Sequence, residues 1–113
     1  MKSYPEIAEQ LEKGMDELGA KIPSTMTPFG EVVGGALADG LLTGKTKELI
    51  ALAIAVSVRC DPCIAHHSRA VVKAGATPDE VAEALGVAVL MGGGPAVAYS
   101  VAAMDAVKQF TAA

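Results

Sequence analysis

"DPCIAHHSRAVVKAGATP", running from Asp61 to Pro78, holds a helix start, a helix stop and a second helix start. Asp61-Pro62 pairs a capping residue with proline at the first helical position, where the missing N–H costs nothing. Gly75 closes that helix after Ala74, because glycine readily takes the left-handed conformation found just past helix ends. Thr77-Pro78-Asp79-Glu80 is a capping box with proline inside it, the strongest start signal in the sequence. Starts and stops of this kind spell helices.

The same punctuation continues on both sides. Upstream, Ile7, Leu11, Met15 and Leu18 recur at helical spacing after Pro5, and Gly19 offers a stop. Thr27-Pro28 reads as a cap and first-turn proline opening a helix toward Leu42, within which Gly34-Gly35 permits close approach of a neighbouring backbone. Thr43-Gly44 resets the chain before a helix from Lys45 to Val58. Downstream, the helix opened at Thr77 ends at Gly92-Gly93-Gly94, and Pro95 opens a last one to about Phe110. There is no alternating β-branched segment, internal repeat or interdomain linker. The expectation is a single all-α domain over residues 1–113 with about six helices.

Composition narrows the class. Hydrophobic residues make up 51% of the 113, yet aromatics are only 4% and tryptophan is absent. A core of Ala, Val, Leu, Ile and Met buries little area per side chain, at about 25 cal/mol per Å², so a homo-oligomer is expected. The net charge is -4 and the nine Lys and Arg are scattered, which argues against a nucleic-acid or anionic membrane surface. The first residues lack the apolar segment of a secretory signal, and the run Leu49 to Val56 is far shorter than the roughly 20 residues that span a bilayer. The expected location is cytoplasmic. In a reducing compartment a close cysteine pair points to catalysis or metal binding before structure.

Cys60 and Cys63 are the only cysteines, and His66 and His67 the only histidines. With Asp61 as cap, Cys63 lies in the first helical turn, where free backbone N–H groups and the helix dipole favour a thiolate; the Asp61 carboxylate opposes this. The spacing also lets one sulfur attack the other and resolve a sulfenic acid or mixed disulfide. At 100° per residue, Cys60, Cys63 and His67 point near about 0°, 300° and 340°, with His66 near about 240°. His67 is therefore the candidate proton-transfer partner of a thiol, and His66, off that stripe, reads as a helix-flank or core histidine with a satisfied hydrogen bond. Glu48 opens an otherwise apolar helix. Along one straight helix it would stand about 18 Å from Cys60, but a hairpin turning near Arg59-Cys60 brings it within about one helical turn of the height of His67, close enough to meet it directly or through one water. The alternative for Glu48 is a solvated acid in a first turn.

Glu48, then Cys60-Asp61-Pro62-Cys63, then His67, within "KTKELIALAIAVSVRCDPCIAHHSRAVVKAGATPDEVAEALGVAVLMGG", resemble the alkylhydroperoxidase D-like branch of the carboxymuconolactone decarboxylase superfamily. The resemblance covers the central half of the chain. It implies an all-helical trimer or hexamer with thiol-dependent peroxidase or disulfide reductase activity in antioxidant defence. It further implies that Cys63 is oxidised by peroxide, that Cys60 resolves it and exchanges disulfides, and that His67 and Glu48, linked through water, relay protons. No cofactor is implied beyond the Cys60–Cys63 dithiol; the reductant would be a peroxiredoxin or a lipoyl- or thioredoxin-type donor. Two departures stand out. The best-studied members carry a histidine inside C-x-x-C, where this chain has Asp61-Pro62, and the chain resembles the compact single-domain members rather than the longer ones with a duplicated helical region.

Three other readings remain at this level. Cys60, Cys63 and one histidine supply three zinc ligands, so a closed site would need a carboxylate or a second subunit. Lactone decarboxylation names the superfamily, although those decarboxylases generally lack the C-x-x-C pair. A redox-linked adaptor would use the dithiol without turnover. Gly92-Gly93-Gly94 lacks the strand and spacing of a nucleotide loop and reads as a hinge.

Overall fold

Side-chain caps set where four of the helices begin in the computed structural model, which describes residues 2–112; Met1 and Ala113, the ends of the expected domain, lie outside it. α1 spans Tyr4–Lys21, with Ser3 accepting from the Glu6 N–H. α2 spans Pro23–Leu37. α3 spans Gly44–Ser57, with Thr43 accepting from the Thr46 N–H at 3.1 Å. α4 spans Asp61–Lys73. α5 spans Pro78–Gly92 behind the capping box: Thr77 Oγ1 accepts from the Glu80 N–H at 3.1 Å, and Glu80 Oε1 accepts from the Thr77 N–H at 2.9 Å. α6 spans Gly94–Ala112. The described residues form six helices and no strand, as the punctuation predicts.

The interior is built from α3, α4, α5 and α6. Leu52, Val56, Ile64, Val71, Val81, Leu85 and Val107 fill it, and Ala65, Ala103 and Ala106 let the helices approach closely. α1 lies on α4 and α6, held by Tyr4, whose N–H donates to Gln109 Oε1 at 2.8 Å. The capping glutamate of α5 also bonds across the fold. Its Oε2 accepts from Lys45 Nζ at 2.8 Å, which ties the starts of α3 and α5 together. No described helix is long and apolar enough to cross a membrane.

Several boundaries depart from the sequence reading. α1 runs through Gly19 to Lys21, since one glycine in an exposed helix costs only about 1 kcal/mol. Thr27 is not a cap. α2 starts at Pro23, contains Pro28, and ends at Leu37 rather than Leu42. Pro28 removes one N–H donor, which a helix with no fully buried residue can replace with water. Gly34 and Gly35 meet no neighbouring backbone: a side-chain carbon added at either would find nothing within 4 Å. Close approach occurs instead at Gly92, where such a carbon would stand 2.8 Å from Ala96 Cβ, so the tight α5–α6 corner requires glycine there.

Asp61 is not the cap of α4 either. Cys60 holds that position, and Asp61 and Pro62 are the first two helical residues. Asp61 turns outward to form an ion pair with Lys2.

Candidate active site

The chain reverses between α3 and α4 through a turn that places Cys60 at two helix ends. The Arg59 N–H donates to Val56 O and the Cys60 N–H to Ala55 O, both at 3.1 Å, the paired bonds of a Schellman motif. Glycine normally takes the left-handed position of this motif; here Arg59 does, at φ 58°. Cys60 thus finishes α3 with its backbone and starts α4 with its side chain. Its Sγ accepts from the Cys63 N–H at 3.2 Å. Cys60 and Cys63 are joined as a disulfide, with Cα atoms 5.2 Å apart.

One turn beyond Cys63, His67 faces back across the hairpin to α3. Its Nδ1 lies 3.1 Å from Glu48 Oε1 and 3.5 Å from Oε2, a direct contact where the resemblance implied one through water. Glu48 is buried, its side chain 11% exposed against 21% for His67. The solvated-acid alternative for Glu48 is thereby removed: a buried carboxylate needs a partner, and the imidazole is it. With Nδ1–H donated to the carboxylate, Nε2 is left as the acceptor, as in other carboxylate–histidine pairs.

Cys63, His66 and His67 open together onto a cleft of about 830 Å³ between α4 and the α1–α2 pair. Its far walls are largely apolar, with Leu11 and Met15 from α1 and Met26, Phe29 and Val33 from α2. Arg69 Nη1 reaches Glu12 Oε2 at 3.5 Å, a tie between α4 and α1. Glu48 itself faces a separate opening of about 480 Å³ that Lys45, Lys73 and Asp39 share. The pair therefore reaches from the thiol cleft to a second polar surface.

His66 corrects the helical-wheel reading in one respect. It makes no hydrogen bond with Glu48, in keeping with its phase, yet it lines the same cleft as Cys63. The cleft wraps around α4 far enough to take in two adjacent side chains, and only the position of α1 and α2 reveals that. The His66 ring meets the His67 ring edge-on, with centroids 4.9 Å apart. Burial first, then the neighbouring His67 and Arg69, hold the His66 pKa below its ordinary value. Among the described residues, no three His, Cys, Asp or Glu side chains converge in a metal-holding arrangement.

A profile of the carboxymuconolactone decarboxylase family matches residues 23–106. The chain belongs to that family. Among solved structures, the apo form of a carboxymuconolactone decarboxylase family protein from Legionella pneumophila superposes with a TM-score of 0.93, at 40% identity over 96% of each chain. A family protein from Thermotoga maritima, described as a candidate in antioxidative response, superposes with a TM-score of 0.79, at 27% identity over 91% of each chain. An uncharacterized protein of Cupriavidus necator is 36% identical over 91 residues, 80% of each chain. "Uncharacterized protein 4 in cox locus" of Paracoccus denitrificans is 38% identical over 82 residues, 73% of this chain and 71% of its own. The resemblance read from Glu48, the cysteine pair and His67 holds at the level of the family and its all-helical fold.

Proposed function

We propose that this carboxymuconolactone decarboxylase family member is a thiol-dependent peroxidase that cycles between the Cys60–Cys63 dithiol and disulfide and serves antioxidant defence. The observation that supports this best is a shared cleft: Cys63 and His67 open onto one cavity while the other nitrogen of His67 is bound to Glu48. A thiol, a base with a free nitrogen and a carboxylate that orients the base are the parts of an activated sulfur nucleophile.

In the dithiol state, Cys63 gives its proton to His67 Nε2, and the first turn of α4 stabilises the thiolate. The thiolate attacks the terminal oxygen of a hydroperoxide. An S–O bond forms, the O–O bond breaks, and the leaving alkoxide takes the proton from His67 and departs as an alcohol. Sulfur loses two electrons and the peroxide gains them. Cys60 then attacks the Cys63 sulfenic acid: the S–S bond forms, the S–O bond breaks, and hydroxide leaves with the Cys60 proton as water. An external dithiol of the lipoyl or thioredoxin type supplies the two electrons that reopen the disulfide. The active form is proposed to be a homotrimer or homohexamer, and no further cofactor is invoked.

The test is single turnover. Prereduced protein mixed with cumene hydroperoxide should lose two thiols per peroxide and form the Cys60–Cys63 linkage, read by mass spectrometry of non-reduced peptides. Cys60→Ser should leave a sulfenic acid on Cys63 that dimedone traps, whereas Cys63→Ser should abolish the reaction. A rate no higher than that of free cysteine would sink the proposal. Lactone decarboxylation, the family's namesake, needs no dithiol, so a decarboxylase would keep its rate after both cysteines became serine.

A further inference from the structure

His66 is the polar side chain that α4 presents to the cleft and that the cycle above leaves idle. A hydroperoxide entering between the apolar side chains of α1 and α2 gives up the water around its oxygens, and an unpartnered polar group in such a place is costly. Around Cys63 the other candidates are already committed: His67 Nδ1 is bound to Glu48, and the proposed cycle gives its Nε2 the thiol proton. Asp16 and Thr27 are the other polar side chains of the lining, and they belong to the walls from α1 and α2. No lysine or arginine lines the cleft.

The His66 ring is also well placed to stay put and stay uncharged. It packs at 85° to the His67 ring, so its orientation follows that of the pair. The groups facing it are His67 and Arg69 on α4, Glu48 on α3, and Glu12 on α1, with Asp16 on the same wall and no charged side chain of α2 in the lining. Burial leads the balance toward the neutral ring, which carries one N–H donor and one acceptor.

We propose that His66 binds the substrate in this thiol site, its imidazole N–H donating a hydrogen bond to the peroxide oxygen bonded to carbon. That bond holds the terminal oxygen toward Cys63 and strengthens as negative charge grows on the leaving oxygen; the proton still comes from His67. The inference rests on the peroxidase reading and adds to it the group that recognises the peroxide.

The experiment measures the single-turnover rate of prereduced protein against cumene hydroperoxide concentration for the native chain, His66→Phe, and His66→Asn and His66→Gln, whose amide N–H stands in for one or other ring nitrogen. Loss of one neutral hydrogen bond lowers the second-order rate of His66→Phe by about three- to tenfold. One of the two amide variants restores most of it. Alkylation of Cys63 by iodoacetamide, which has no O–O bond to hold, changes less than twofold in His66→Phe. His66→Leu replaces His66→Phe if the latter does not fold. A His66→Phe rate within twofold of native overturns the inference and leaves the peroxidase reading standing. Equal losses in peroxide reaction and alkylation, with no rescue by either amide, also overturn it and mark His66 as structural. A native chain unreactive toward peroxide overturns both.

Discussion

Because Nδ1 of His67 is committed to Glu48, the ring has a single nitrogen to offer the cleft, and both partners must be present for it to be the right one. General acid–base assistance contributes typically about 10²–10⁴-fold. His67→Gln should slow thiol oxidation by a factor in that range, and Glu48→Gln by a similar one. The double variant should be little worse than either single change, since residues acting as one unit fail together. Stopped-flow rates of the three prereduced proteins decide it; additive losses would mean that the two side chains act separately. His66 gives a second handle. Its pKa is lowered in the folded chain, so the unfolded chain binds more protons as pH falls below about 6.5. The stabilisation that comes from keeping His66 neutral is full above that pH and is lost as pH drops through the lower folded value. Denaturant midpoints should therefore fall less between pH 7 and pH 5 in His66→Phe than in the native chain.

At the scale of single elements, what was legible in the sequence was whatever local chemistry decides. Thr43, Thr77 and Gly75 mark helix ends by hydrogen bonds within a few residues, and all three stand where the sequence places them. Thr27-Pro28 carries the same local signal and fails, because the chain from Pro23 is already helical and can absorb one missing bond at the surface. Asp61-Pro62 fails by one position, since the Schellman turn delivers Cys60 to the cap. Pairing of Glu48 with His67 could be anticipated from hairpin arithmetic, whereas the cleft side of His66 depends on where α1 and α2 lie. The turn itself makes a prediction. An L-residue in the left-handed region costs about 1–2 kcal/mol, and Arg59 is exposed and makes no side-chain bond to another described residue. Arg59→Gly should relieve that strain, offset by about 0.4–1 kcal/mol of extra freedom in the unfolded chain. A net gain of about 0.5–1 kcal/mol should appear in urea unfolding; a loss would show that the arginine contributes contacts of its own.

Over the whole molecule, the alanine-rich interior leaves much apolar surface outside. Leu90 and Met91 on α5 are 79% and 80% exposed, Val101 on α6 is 66% and Val32 on α2 is 63%. The radius of gyration, 14.1 Å, slightly exceeds the about 13 Å of a compact chain this long, in keeping with a helix laid on the outside. Light scattering at micromolar concentration should find a trimer or hexamer; a monodisperse monomer would refute it. α2 carries one wall of the cleft yet has no fully buried residue of its own. In an isolated chain its amide hydrogens should trade with deuterium sooner than those of α3, α4 or α6, because little free energy opposes its lifting away. Each such excursion admits water to the sulfur. If subunits clasp α2 between them, dilution would speed its deuterium uptake and weaken the proposed peroxide capture together, so the cleft would be most protected where the protein is most abundant.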